Sequence, residues 1–502
     1  DTYRDCPVTE IGVDAFKGCD YLASVEISDS VTNIGAGAFS YCRILENVSI
    51  PDNVTIIANN LFEGCRMLSR IHIPESVTNI GDSAFYNCTS LDEVIIPNGV
   101  TSIGHSAFER CESLSAISVP EGIKNISYSV FKDCYALKEI TIPGSVTAIK
   151  DNAFSGCGSL REIDIPDSVT KIGTGAFENC IELTEISIPA GVTEIEDRVF
   201  QNCAGLLKVV IPDSVTIIGN NAFSECRSLE TIDLPDGVTK IGSGAFSSCN
   251  DLINITIPQN IEIIDNSTFS NCSSLAEIII PGSVKKIGNC AFSECDSLVS
   301  VSIPDSVTEF DELTFSGCDR LKSVTLLDGI TVICSGMFSE CIALTDITIP
   351  ESVTSIAPMA FYYCISLTDL TLPDSVEEIG QCAFEGCSGL RSIRMPDSVS
   401  VIGDWAFKKC SSLEKITIPP KVTRIGTGAF WECSGLKCVT IGKNVSNLGD
   451  NGFYDCVSLS EIYYEGTIDE FRKIGNKDGW DYNSGEYIVK CSDGNLSKDE
   501  LH

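Results

Sequence analysis

Histidine and positive charge are scarce in this chain, and long apolar runs are missing altogether. Its 502 residues include three histidines, His72, His105 and His502. None has an evident nucleophile beside it, so Ser-His or Cys-His catalysis finds no support. Lysine and arginine number 34 against 70 aspartates and glutamates, a formal net charge of −36. So acidic a surface repels nucleic-acid phosphate and anionic lipid headgroups, and it favours basic partners. No segment offers the roughly 18 consecutive apolar residues of a membrane-spanning helix, so none is expected. No signal peptide is visible. There are 26 cysteines but neither a Cys-x-x-Cys pair nor a Cys/His cluster. That argues against a zinc site, and no cofactor is expected. Carboxylates fall in rows and do not face each other across a cleft as a glycosidase pair does. The chain is therefore read as non-enzymatic.

What is present is a period. Phenylalanine recurs every 23 residues from Phe16 to Phe453, with a cysteine three residues after each and a leucine three residues after that. The register has no insertion or deletion. A fixed period of this length marks a solenoid, which grows in one dimension without the size limit of a single core. Phe, Cys and Leu at i, i+3 and i+6, as in Phe177, Cys180 and Leu183, form the core ladder of each coil. On such a ladder a free cysteine behaves as a small hydrophobe. The rival reading is a disulfide between rungs, because neighbouring rungs ~5 Å apart lie within bridging distance.

One coil can be followed from Leu160 to Leu183. Glu162-Ile163-Asp164-Ile165 alternates polar and apolar, the pattern of a short strand with one buried face. Pro166 lacks an N–H and ends it, and Asp167 and Ser168 supply a turn. Val169 and Ile172 point inward from a second wall. Ala176, Phe177, Cys180 and Leu183 trace an arc of 3-10 or helical character. A single coil buries too little to offset the entropy of ordering it, so stacking must supply the rest. Strands in register 23 residues apart must run parallel, which predicts one long ribbon-like sheet. The fold class expected is an α/β leucine-rich-repeat solenoid. It is a right-handed superhelix of about 20 coils, with a parallel sheet on one wall and short strands, 3-10 turns or helical arcs on the other.

The repeat bends around residues 310–334, where Phe310 replaces isoleucine, Leu327 replaces proline and Met337 replaces alanine. A local change of curvature is expected there, with a binding irregularity as the alternative. After Ser460 the pattern changes. Ile462-Tyr463-Tyr464 is a last regular strand, Thr467-Ile468-Asp469-Glu470 has the form of a capping box, and a closing strand is expected near Tyr487 to Cys491. Residues 1–465 are read as the solenoid and 466–502 as a C-terminal cap over its open edge. Val8, Ile11, Ala15 and Phe16 already fit the register, so the chain is expected to open partway through a repeat, as a mature or trimmed fragment.

The unit Ile-Pro-x-x-Val-Thr-x-Ile-Gly-x-x-Ala-Phe-x-x-Cys-x-x-Leu stands almost unaltered from Ile165 to Leu183. It resembles the BspA-type (Treponema-type) leucine-rich repeat over about residues 8–465. The resemblance implies a surface or secreted protein of a host-associated bacterium, linked to adhesion and coaggregation. The family has no shared catalytic residues to carry over.

Two surface features are candidates for contact. An outward row before the buried strand residue includes Glu139, Glu162 and Glu185 on three successive coils, and later Asp346 and Asp369. It reads as a docking strip for a basic protein partner or a cation, or as a solvated face that keeps the sheet from self-association. Aromatic residues gather on the arc of the C-terminal third: Tyr362, Tyr363, Trp405, Trp431 and Tyr454. They read as an interface or a sugar-stacking surface, or as packing. Asp478, Asp481, Asn483 and Glu486 loosely resemble oxygen ligands for calcium, without EF-hand spacing. The function expected is a cell-surface or secreted adhesion module, a monomeric chain that binds host matrix or cell-surface proteins through its exposed faces. The alternatives are a spacer that displays another domain, and a glycan-binding accessory protein.

Overall fold

The computed structural model describes residues 2–3, 6–475 and 479–501. It divides into two compact units, Asp1–Asn260 and Ile261–His502. Each is a parallel β-solenoid of 23-residue coils with very little helix.

In the first unit, strands Ser24–Glu26, Asn47–Ser49, Arg70–His72, Glu93–Ile95, Ala116–Ser118 and Glu139–Thr141 form a six-stranded parallel sheet. Its register advances by one repeat per strand, as in Ser24↔Asn47 and Ala116↔Glu139. The second wall is built of two-residue strands, such as Ala148–Ile149 beside Lys171–Ile172. In the second unit the last sheet joins Lys415–Thr417, Cys438–Ile441, Glu461–Tyr464, Ile488–Cys491 and Gly494–Ser497. All its pairs are parallel except the final one. Before the strand Ile488–Cys491, Thr467 caps a five-residue helix, Ile468–Arg472, in a closed capping box with Glu470.

The first wall is not one ribbon. It is divided into several short sheets, and the coil at 160–166, whose alternation predicts a strand, carries none. Ile165 and Pro166 are part-exposed there, whereas Ile142, Pro143, Ile188 and Pro189 in the flanking coils are buried. Strands of two or three residues share few lateral bonds, so the loss of one strand is enough to interrupt the sheet.

The arc differs from a helix for a specific reason. Around Phe177, Gly175, Phe177 and Asn179 donate their N–H groups to Asp197, Val199 and Gln201 of the next coil, at 2.8–2.9 Å. The intervening Ala176, Glu178 and Cys180 donate three residues back within the coil, to Gly173, Gly175 and Phe177 at 3.1–3.2 Å. Alternate N–H groups thus run along the solenoid and around it. The alternation needs left-handed residues two before and two after the phenylalanine: Gly175 (φ 61°) and Asn179 (φ 62°) here, Asn152 (56°) and Gly156 (78°) one coil earlier. A continuous helix would send every N–H around the coil and leave none to join neighbours.

The core lies under this arc. Phe177, Cys180 and Leu183 are fully buried, and successive phenylalanine rings stack at 5.4 Å (Phe154–Phe177) and 5.7 Å (Phe177–Phe200). The ladder cysteines of the structure are thiols. Each is more than a filler: Cys180 Sγ donates to the Phe154 carbonyl of the preceding coil at 3.3 Å, and Cys203 to Phe177 at 3.1 Å. Burial pushes the Cys180 thiol up to about 12, so it stays protonated and able to donate at neutral pH.

Two substitutions separate these roles. Phe177→Ala should lower stability by about 3–5 kcal/mol, the cost of an aromatic cavity. Cys180→Ala should cost about 1–2 kcal/mol, because the Phe154 carbonyl keeps the Cys157 N–H as donor. Urea unfolding followed by circular dichroism measures both, with the phenylalanine variant expected to melt first.

Candidate interaction surfaces

The acidic row of the first wall is not a continuous strip. Glu139 ends the six-stranded sheet, where it pairs with Ala116. Glu162 stands in the coil without a strand, and Glu185 begins a new sheet opposite Lys208. The expected stack of three carboxylates on one sheet therefore parts at its middle member. Like charges directly opposite one another weaken a ladder, and the interruption coincides with them. An open cleft of about 380 Å³ here is lined by Glu162, Asp164, Asp167, Glu185 and Lys208 among others. In the second unit Asp346 pairs with Ser323. Asp369 pairs with Ser392 and accepts a hydrogen bond from its hydroxyl. Among the described residues, the strands Asp346–Thr348 and Asp369–Thr371 lie in different sheets.

Most of the aromatic residues are gathered into one row on the arc. The row runs Tyr362, Glu385, Lys408, Trp431 and Tyr454, one residue after each phenylalanine, and extends to Tyr482. Glu385 and Lys408 form an ion pair at 3.0 Å, the most buried in the described structure. Lys408 Nζ lies 5.5 Å from the Trp431 ring centre. Trp431 meets Tyr454 at 5.0 Å, and Tyr454 stacks on Tyr482 at 5.2 Å. Burial, and then the Glu385 charge, hold the Tyr362 phenol above its usual range. Burial, and then a hydrogen bond to Glu385 and the charge of its carboxylate, push the Cys382 thiol up to about 12. Trp405 belongs to a different row, two residues before the phenylalanine, with φ 56°. It lies across Gly428, where a Cβ would sit 2.6 Å from the indole Cδ1. Trp431 Nε1 is buried and has no hydrogen-bond partner among the described residues.

Beside that row is an open trough of about 600 Å³. One side carries the row two residues after the phenylalanine, from Tyr363 through Lys409 and Glu432 to Asp455 and Asn483. The other side carries Ser388, Ser411 and Ser434. The Tyr363 ring lies across Gly386, where a Cβ would meet three ring atoms at 2.7–2.8 Å.

The irregular coils around 310–334 form a further cleft of about 630 Å³, lined by Phe310, Asp311, Val332, Cys334 and Pro358 among others. Phe310 is part-exposed at a register where Ile287 and Ile333 are fully buried. The buried Met337 occupies an alanine position. Leu313, Leu327, Val332 and Met359 are each more than a third exposed on the same coils. Asp311 is paired with Lys286 at 3.0 Å.

The coil geometry and sequence agree with a known repeat. The model of the BspA type leucine-rich repeat region (6 copies) matches residues 9–138, 124–253, 193–319, 239–368 and 354–476. The chain belongs to the BspA-type leucine-rich repeat family. Among solved structures, a leucine-rich repeat protein from Bacteroides ovatus is 28% identical, with a TM-score of 0.53, over 78% of this chain and 87% of that one. A leucine-rich repeat protein from Eubacterium ventriosum is 24% identical, with a TM-score of 0.45, over 59% and 83%. A leucine rich cell surface protein from Faecalibacterium prausnitzii is 26% identical, with a TM-score of 0.26, over 94% and 88%. No curated protein matches the chain.

In this BspA-type chain the loosely calcium-like residues are not arranged as a set. Asp478 lies outside the described residues. Asp481 is buried and accepts from the Tyr487 hydroxyl at 2.6 Å, and Asn483 donates to Asp455. Among the described residues no group of three His, Cys, Asp or Glu could hold a metal ion. Tyr482, 64% exposed at the end of the aromatic row, escapes sequence reasoning because it follows the last regular coil, where the 23-residue spacing no longer locates partners.

Lys408→Met should cost about 1–3 kcal/mol, because it leaves the buried Glu385 carboxylate without its cation. Adding Glu385→Gln should restore most of that loss. Thermal melts of the single and double variants give the comparison.

Proposed function

We propose that this chain is a protein-binding adhesion module, secreted by or displayed on a host-associated bacterium, whose partners are host matrix or cell-surface proteins. Bacterial leucine-rich repeat proteins are in general protein-interaction modules, and that family membership is the starting point. The observation that carries the reading is the patch on coils 310–359. There the repeat abandons its consensus and exposes Phe310, Leu313, Leu327, Val332 and Met359 next to Asp311 and Glu312. Of these, Phe310 and Val332 line one cleft with Asp311 and Glu312, and apolar side chains exposed together on an otherwise polar surface mark an interaction site. The acidic flank and the net charge of −36 favour a partner that is apolar at its centre and basic at its rim. Glu139, Glu162, Glu185, Asp346 and Asp369 add long-range attraction for such a partner, which speeds encounter more than it tightens the complex. In this reading residues 1–465 are the displaying solenoid, residues 466–502 are its cap, and the protein acts as a monomer. No helix among the described residues is long and apolar enough to cross a membrane.

The test is saturable binding of the purified chain to immobilised matrix and cell-surface proteins. The double variant Leu313→Asp/Met359→Asp changes two exposed side chains and should weaken binding at least tenfold. Raising the salt should slow association. A panel without a saturable partner, or a double variant that binds as well as the parent, refutes the reading.

A further inference from the structure

We infer that the trough on the arc of the second unit binds a neutral, extended polysaccharide, with about one sugar unit to each coil. This surface is separate from the apolar patch and does not depend on a protein partner. Four observations point to it.

The first is spacing. The coils beneath the trough repeat at 5.1–5.4 Å, measured between the rings of Phe361, Phe384, Phe407, Phe430 and Phe453. A pyranose ring spans roughly 5 Å from one linkage oxygen to the next, given carbon–carbon bonds near 1.5 Å. A linear glycan can therefore keep register with the coils over the whole trough. The second is the row of Ser388, Ser411 and Ser434, three hydroxyls at the same position on successive coils. Ser411 Oγ donates to the Ser388 carbonyl at 3.5 Å and keeps its lone pairs for sugar hydroxyls, and a serine hydroxyl can both donate and accept. The third is Tyr363. Its ring lies across Gly386, which has no Cβ to lift it, and it offers a flat apolar platform at one end of the trough. The fourth is charge. Lys409 stands opposite in sign to Glu432 and Asp455, so a polyanion or a polycation meets a like charge along the way and a neutral chain does not. Among the described residues, the aliphatic side chains in the lining are Ile365 and Val457, near its two ends. A protein ligand would find few of the buried anchors that dominate protein interfaces.

Titration calorimetry of the full chain with length series of neutral gluco-, xylo- and manno-oligosaccharides tests the inference, with alginate and chitosan fragments as charged controls. Affinity for one neutral series should rise with length and level off at about five units, the number of regular coils lining the trough. Tyr363→Ala should weaken binding tenfold or more. Ser411→Val/Ser434→Val should weaken it severalfold with an unchanged melting temperature, and this pair carries the test if Tyr363→Ala does not fold. The Leu313→Asp/Met359→Asp variant should bind the glycan normally, so failure of the protein-binding reading leaves this one standing. Absence of binding to every neutral series, affinity independent of length, stronger binding of the charged controls, or full affinity in the serine variant overturns the inference.

Discussion

Every coil of this protein has to hand half of its arc hydrogen bonds to a neighbour, and the rest of the structure follows from that. The backbone of the arc turns too tightly for a strand and cannot become a helix without cutting the lateral bonds. It solves the problem by alternating right- and left-handed residues, so that successive N–H groups point around the coil and along the axis. The phenylalanine carbonyl at the centre of the arc is deeply buried. It receives the N–H of the ladder cysteine in its own coil and the S–H of the cysteine in the next. Cysteine suits this place because it is small, apolar and still a donor, and because burial keeps its proton on.

Much of this is legible in the amino-acid sequence, and the limits have physical causes. The period and the buried Phe, Cys and Leu can be read directly, because burial imposes the same choice on every coil. The capping box at Thr467 can be read as well, since its partners lie within four residues. The left-handed arc cannot. Its positions are filled by glycine, asparagine, serine and aspartate, but also by Arg198, Leu313, Met359 and Trp405, so no single residue type announces it. The missing strand at 160–166 is also invisible, since the segment alternates as a strand should. Whether a strand forms there depends on the neighbouring coils, a relation that one coil's own sequence does not carry.

The candidate surfaces show the same division. The patch at 310–359 is announced by three broken rules: Phe310 lines a cleft, Leu327 is exposed outside its lining, and Met337 is buried. The aromatic residues of the last third are visible as a composition, yet their arrangement is not. Trp431 and Tyr454 are packed against each other and against Lys408, and so belong largely to the fabric of the arc. Tyr363, which looks equivalent in the sequence, is instead laid flat on a glycine at the edge of an open trough.

The left-handed positions carry one more consequence. None of those on the described coils is valine, isoleucine or threonine, as expected where a branched Cβ would clash with the backbone. Beyond that single steric veto, residues of nearly every size and charge are accommodated, from serine to tryptophan, with their side chains on the outside and the core untouched. A repeat protein of this kind thus possesses two rows per coil on which its vocabulary can change by point substitution while its grammar stays fixed. Lengthening the chain by whole coils adds further blank places to each row, so recognition can diversify without any negotiation with stability.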